Sequence, residues 1–288
     1  VRRAAGDEAA VMDGENMNKP KLVIADIDGT LTVVQNPLPK LSVQAMKELH
    51  ARGVQLGIAS GRQVDTQMKS YPERWGLDFP FDVLIGMNGG QLYIEKTQTM
   101  HEYYKLSSRT LKEIIDMMAP LNLNPFLYEG EGMLCQKVDD GVRASILRNG
   151  IAAREAKDVS ELYAHDNAKI LYRVDEEHMP AVFAYAKAHP SPDYRAFLTQ
   201  TTMLEFEDPR VTKGMCLLEY CRISGIPASD VWAFGDMEND NELLKDAGWG
   251  VCLVNGSEET KAAADAVTEY PVTEDGFGHY MMDHLLNL

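Results

Sequence analysis

Asp26 and Asp28 stand two residues apart directly after the apolar run Leu22–Ala25, and Gly29 and Thr30 follow them. In an extended segment this spacing puts both carboxylates on one side and Ile27 on the other, while Gly29 permits a tight turn. Two carboxylates so placed can divide a phosphoryl transfer. One attacks phosphorus to give an acyl phosphate, and the other protonates the departing alcohol and then deprotonates water. The plainer reading is a turn in which both aspartates accept backbone amides. Crowded carboxylates repel each other and an anionic substrate, and an oxygen-bound divalent cation relieves this. Magnesium suits such a place because it takes a few carboxylates, waters and phosphate oxygens.

A second acidic cluster, Gly235-Asp236-Met237-Glu238-Asn239-Asp240, also follows an apolar run and opens a helix. Asp236 is the natural further metal ligand, with Asn239 and Asp240 orienting it or holding waters, although either could simply cap the helix. Lys213 sits where a helix begins, an unfavourable place for a cation unless an anion is near. It could pair with Asp26 and with phosphoryl oxygens, or be an exposed surface lysine. Ser60 follows another apolar run and, with the Gly61 amide beside it, can donate to a phosphoryl oxygen. Alone, Ser-Gly is only turn chemistry.

These residues need strands whose ends meet. Continuous apolar runs at 22–25, 54–59 and 83–85 read as strands of a parallel sheet covered on both faces. Ser42 is expected to open the helix that ends before Gly53. After Asn88-Gly89-Gly90 the texture changes. Half-alternating segments at 91–95 and 133–137, a helical stretch at 108–118, strands at 169–174 and 203–207 and a helix at 176–188 read as an α+β insertion. The βα rhythm returns with a helix capped by Thr212 and ended by Gly225, strands at 231–234 and 251–254, and a short helix closed by Gly248. The expected fold class is α/β, a Rossmann-like doubly wound parallel sheet with an inserted α+β domain. The expected division is a tail at 1–18 outside the fold, a discontinuous core at 19–90 and 206–288, and an insertion at 91–205. In such sheets the crevice lies at the carboxyl ends of the strands.

Composition narrows the function. Lys and Arg total 28 against 44 Asp and Glu, a net charge of −16 over 288 residues, which argues against a nucleic-acid footprint. Cys135, Cys216, Cys221 and Cys252 are scattered, and the seven histidines do not pair at ligand spacing, so neither a disulfide framework nor a zinc site is expected. No apolar run approaches the roughly 20 residues of a spanning helix, and Arg2-Arg3 is followed by Asp7 and Glu8 rather than an apolar signal core. The expectation is a cytoplasmic monomer or homodimer with no membrane partner. A dinucleotide enzyme is set aside because Asp26-Ile27-Asp28-Gly29-Thr30 stands where G-x-G-x-x-G would be needed.

Taken in order, Asp26-Ile27-Asp28-Gly29-Thr30, Ser60-Gly61-Arg62, Lys213-Gly214 and Gly235-Asp236 through Asn239-Asp240 resemble the four motifs of the haloacid dehalogenase-like (HAD) hydrolase superfamily. The likeness is closest to its Cof-like branch of phosphatases, which carries a large cap inserted after the third strand. It runs from Lys21 to the end and includes Asp275-Gly276, although residues 33–40, with Pro37 and Pro39, are unlike the usual short polar stretch. The resemblance implies that Asp26 is nucleophile and Mg2+ ligand, and that Asp28 is acid/base and binds metal through its carbonyl. It further implies that Ser60 and Lys213 hold the phosphoryl group, that Asp236 is the remaining ligand supported by Asn239 and Asp240, and that Gly61, Arg62 and Asn88 lie near substrate. A cap would close over the crevice and select the leaving group. Lys137, Arg143, Arg148, Thr201 and Thr202 could contact substrate from it, with solvated surface the better reading of each. The substrates implied are small phosphorylated metabolites such as sugar or cofactor phosphates. The rivals are a phosphomutase, which would pass the group to a sugar hydroxyl, and a catalytically silent binding protein.

Overall fold

A computed structural model describes residues 19–33 and 37–286. The expected tail at 1–18 and the centre of the proline-containing 33–40 segment lie outside the described residues. The chain runs through β1 (Leu22–Ala25), β2 (Gln55–Ala59), β3 (Val83–Gly86), β4 (Gln91–Ile94) and β5 (Thr99–Glu102). A second sheet then forms from β6 (Pro125–Glu129), β7 (Gly132–Cys135), β8 (Ala153–Glu155), β9 (Lys169–Arg173), β10 (Arg195–Gln200) and β11 (Met203–Glu207). The chain returns to the first sheet through β12 (Val231–Gly235), β13 (Trp249–Cys252) and β14 (Ala266–Val267).

The first sheet has the order β14-β13-β12-β1-β2-β3-β4-β5 and is parallel from β14 to β3. Successive residues of a strand point to opposite faces, so a strand that is apolar throughout must be covered on both. That is the arrangement of β1. Val23 and Ala25 pack with Ala45, Met46 and Leu49 of the helix Lys40–Ala51 and with Phe277 of the helix Gly276–Met281. Leu22 and Ile24 pack on the other side with Cys216, Leu217 and Tyr220 of the helix Lys213–Ser224. Each fully buried side chain of this size contributes roughly 1.5–3 kcal/mol.

The sequence places the start of one helix wrongly. Ser42 lies inside the helix Lys40–Ala51 and is fully buried. The cap comes from Asp275, whose carboxylate accepts the amides of Leu41 at 2.9 Å and Ser42 at 3.2 Å as well as the Ser42 hydroxyl. Thr212, by contrast, caps its helix as expected by accepting the Met215 amide at 2.9 Å, and Gly225 ends it in the left-handed region at φ 77°.

The second sheet has the order β10-β11-β9-β6-β7-β8 and is antiparallel except between β7 and β8. Ile170, Tyr172, Leu204 and Phe206 pack against Leu111 and Ile114 of the helix Ser108–Met118 and Val182 of the helix Met179–Lys187. The alternate residues Lys169, Arg173, Glu205 and Glu207 therefore project from the other face. Strand pairing also moves the expected limits of the insertion. β4 and β5 extend the first sheet as an antiparallel edge, so the chain leaves that sheet after Glu102 rather than at Gln91. Their half-alternating texture marks an edge exposed on one side, not a new layer. At the other end β11 continues to Glu207, past the expected limit at 205.

Candidate active site

β1 and β12 are neighbours with Ala25 opposite Phe234, and the Asp26 amide donates to the Phe234 carbonyl at 2.9 Å. The two acidic loops that follow these strands therefore meet at one sheet edge. Lys213 Nζ, fully buried, donates to Asp26 Oδ1 at 2.6 Å and to Asp240 Oδ1 at 2.5 Å. Asp240 Oδ2 accepts the amides of Asp236 at 3.0 Å and Met237 at 3.2 Å, which fixes the loop. Thr30 Oγ1 donates to Asp236 Oδ1 at 2.7 Å. One carboxylate oxygen from each of Asp26, Asp236 and Asp240 lies within 4.8 Å of the others.

Two glycines make this closeness possible. Gly29, at φ +99°, would place a Cβ 2.3 Å from Asp236 Oδ2. Gly89, at φ +113°, would place one 2.1 Å from the carbonyl oxygen of Thr212, the residue before Lys213. A side chain at Gly29 would press on Asp236, and one at Gly89 would push the turn after β3 away from the start of the helix that carries Lys213.

Three carboxylates around one ammonium leave an excess of negative charge. Burial raises the Asp26 pKa well above the ordinary value, opposed by Lys213 and reinforced by Asp240 and Asp236. Burial and the Asp240 carboxylate push Asp236 up to about 7. Burial would lower Lys213, but Asp240 and Asp26 more than reverse it and hold the ammonium charged. An all-oxygen donor set that resists its own ionisation fits a hard divalent cation such as magnesium.

Asp28 lines the same cleft as Asp26 but pairs with arginines. Arg62 grips its carboxylate with Nη2 at 2.7 Å from Oδ2 and 3.0 Å from Oδ1 and with Nε at 3.1 Å from Oδ2. Arg148 Nη2 approaches the same Oδ2 at 3.7 Å. Ser60 is held by its amide, which donates to the Ile85 carbonyl at 2.8 Å. Its Oγ accepts the Arg62 amide at 3.2 Å, which leaves the hydroxyl proton to donate elsewhere. A cleft of about 600 Å³ is bounded by Asp26, Asp28, Ser60, Gly61, Arg62, Asp236, Asn239 and Asp240 on one side. Opposite, it is bounded by Tyr128 and Arg173 of the second sheet, by Thr201 and Thr202 between β10 and β11, and by Arg148 of the helix Asp140–Asn149.

Some expected substrate neighbours stand elsewhere. Asn88 is buried in a left-handed conformation at φ 54°. Its amide donates to Glu205 Oε2 at 3.2 Å and Glu207 Oε2 at 3.1 Å, and its Oδ1 accepts from Asn239 Nδ2 at 3.4 Å. Asn88 is thus a bracket between the sheets rather than a surface offered to substrate, because buried carboxylates have claimed its donors. Asn239 is part of the same bracket. Arg143 is exposed and paired with Asp140 at 2.8 Å, and Lys137 is exposed. Arg148, Thr201 and Thr202 do reach the cleft. Reasoning from sequence overlooked Thr30, Lys169, Glu205 and Arg173. The available signal was charges on one alternate face, Lys169 and Arg173 of β9 and Glu205 and Glu207 of β11, broken by Leu171 and Met203.

A sequence model of the haloacid dehalogenase-like hydrolases matches residues 23–281. Among curated proteins, the chain is 23% identical over 269 residues to the 5-amino-6-(5-phospho-D-ribitylamino)uracil phosphatase of Bacillus subtilis, covering 92% of this chain and 98% of that one. It is 28% identical over 261 residues to a phosphoglycolate phosphatase of Methanopyrus kandleri, covering 89% and 93%. A solved structure of a haloacid dehalogenase-like hydrolase from Bacteroides thetaiotaomicron superposes with a TM-score of 0.79 at 24% identity, over 92% of this chain and 99% of that one.

Proposed function

We propose that this chain, which belongs to the haloacid dehalogenase-like hydrolase family, hydrolyses phosphate monoesters of small metabolites through an aspartyl-phosphate on Asp26. That the chain is a phosphatase rests on its family and on relatives that are themselves phosphatases. The route rests on one observation above all. A fully buried ammonium joins the Asp26 and Asp240 carboxylates that line the cleft, with the Asp236 carboxylate beside them.

In this reading a carboxylate oxygen of Asp26 attacks phosphorus, the bond from phosphorus to the ester oxygen breaks, and Asp28 gives its proton to the departing alcohol. Water then attacks phosphorus, Asp28 takes the proton, and inorganic phosphate leaves with Asp26 restored. Lys213 and the Ser60 hydroxyl take the phosphoryl oxygens, and Arg62 is placed to pass from Asp28 to an incoming anion. Magnesium would be held by Asp26, Asp236 and the Asp28 carbonyl, and would neutralise the charge that otherwise sets carboxylate against phosphate. Residues of the second sheet close the cleft as a cap and exclude water.

The test is phosphate release from a panel of sugar and cofactor phosphates, with para-nitrophenyl phosphate as a neutral reporter. Turnover is expected to require magnesium and to fall by roughly three orders of magnitude or more in Asp26→Asn, as for loss of a covalent nucleophile. Turnover that survives that substitution, or that persists in chelator, overturns the route. A hexose monophosphate that returns an isomer in place of free phosphate would make the chain a mutase.

A further inference from the structure

Period-two geometry sends Arg173 of β9 toward the cleft along with Leu171, while Tyr172 goes to the opposite core. Arg173 is held by neutral partners, donating through Nε to Ser145 Oγ at 2.9 Å and through Nη1 to Thr202 Oγ1 at 2.9 Å. Among the described residues no carboxylate pairs with it. Two of its five N–H groups are thereby fixed, and the fork is oriented without being neutralised. Arg148 stands beside it. Its Nη1 donates to Gln200 Oε1 at 2.8 Å, and its Nη2 pairs at 3.7 Å with the Asp28 Oδ2 that Arg62 also holds. Burial and then the nearby Arg148 charge lower the Arg173 pKa. A half-buried guanidinium held only by neutral groups, as Arg173 is, gains when an anion joins it.

We propose that Arg148 and Arg173 form a second anion site, so that the substrate is a phosphate monoester whose leaving group carries a further carboxylate or phosphate. The site rests on the phosphatase reading of the cleft and adds a substrate class to it. Arg148 links it to the chemistry. The guanidinium that touches Asp28, the proton donor to the ester oxygen, also lies next to Arg173, so the second anion belongs a few atoms beyond that oxygen. The Thr201 and Thr202 hydroxyls at the end of the same wall can add donors.

Paired esters test this: phosphoglycerate against glycerol phosphate for a carboxylate, and a hexose bisphosphate against the hexose monophosphate for a phosphate. At least one doubly anionic member is expected to have a kcat/KM roughly tenfold or more above its partner, carried by KM, as one bidentate charge-assisted contact would give. Arg173→Gln should bring that ratio close to one, and Arg173→Lys should keep part of it. If Arg173→Gln does not fold, Arg148→Gln replaces it with the same expectation. Ratios near one in wild type, with para-nitrophenyl phosphate still hydrolysed, overturn the second anion site and leave the phosphatase reading standing. So does a preference that survives both glutamine variants. Absence of turnover with every ester overturns the phosphatase reading instead. Calorimetric binding of the same pairs then decides the site, and equal affinity within both pairs rejects it.

Discussion

The smallest unit of the proposed chemistry is the Lys213 ammonium between Asp26 and Asp240. Removing it as Lys213→Met leaves two buried carboxylates facing each other, and an unpaired buried charge costs about 3–5 kcal/mol. The variant should therefore melt well below wild type in chelator. It should regain a large part of the difference in magnesium, because a divalent cation takes up the same negative charge. Equal losses with and without the ion, read by calorimetry, would show that the acids do not share one charge centre. The acids were legible because a carboxylate placed immediately after a wholly apolar strand has few structural reasons to be there. Asn88 was not legible, since the glutamates that claim its amide lie 117 and 119 residues further on. Arg173 ends a segment, Lys-Ile-Leu-Tyr-Arg, whose polar ends are those of an ordinary strand. Only the packing of Ile170 and Tyr172 against the helices shows that the remaining face looks into the cleft.

Among the elements, strands and helices with strong apolar periodicity were readable almost to the residue, as with β1, β11 and the helix Ser108–Met118. Helix ends were readable only where the cap is local. Thr212 lies next to its helix, but the helix Lys40–Ala51 starts after Pro39 with no side-chain cap of its own. It borrows the Asp275 carboxylate from 234 residues away. Because Asp275 is itself at φ 61°, Asp275→Ala should lose the cap, leave the buried Ser42 hydroxyl without its acceptor and strain the backbone. Those losses together are worth roughly 2–4 kcal/mol. Asn accepts hydrogen bonds and tolerates left-handed backbone, so Asp275→Asn should retain more than half of that stability. Urea midpoints of the two variants check the order, and alanine proving the better replacement would remove Asp275 from the role of cap.

For the molecule as a whole, a buried polar bracket ties the second sheet to the first. Lys169 Nζ donates to the Gly61 carbonyl at 2.7 Å and to Glu205 Oε2 at 2.8 Å, Asn88 joins Glu205 to Glu207, and Arg195 Nη2 donates to Glu207 Oε1 at 2.6 Å. Two βα segments separated by an α+β stretch were visible in the sequence. The bracket was not, because its members are scattered from Gly61 to Glu207 and its charged ones, taken singly, pass for surface charge. Its weak point is Glu207, which burial pushes up to about 7 from an ordinary 4.5 against the opposing pull of Arg195. Between those two values the folded chain keeps a proton that the unfolded chain has released. This group's contribution to stability is therefore whole below about pH 4.5 and lost as the pH rises through about 7, a change on the order of 3 kcal/mol. Glu207→Gln keeps one acceptor oxygen, for Arg195, gives up the one that Asn88 uses at every pH, and cannot ionise. The Tm of wild type minus that of Glu207→Gln should therefore fall steadily from about pH 5 to about pH 8 in the same buffer series, the other titrating groups being common to both proteins. A difference that stays flat across that range would mean that Glu207 is charged in the folded chain throughout, with Arg195 and Asn88 sufficient to hold it so.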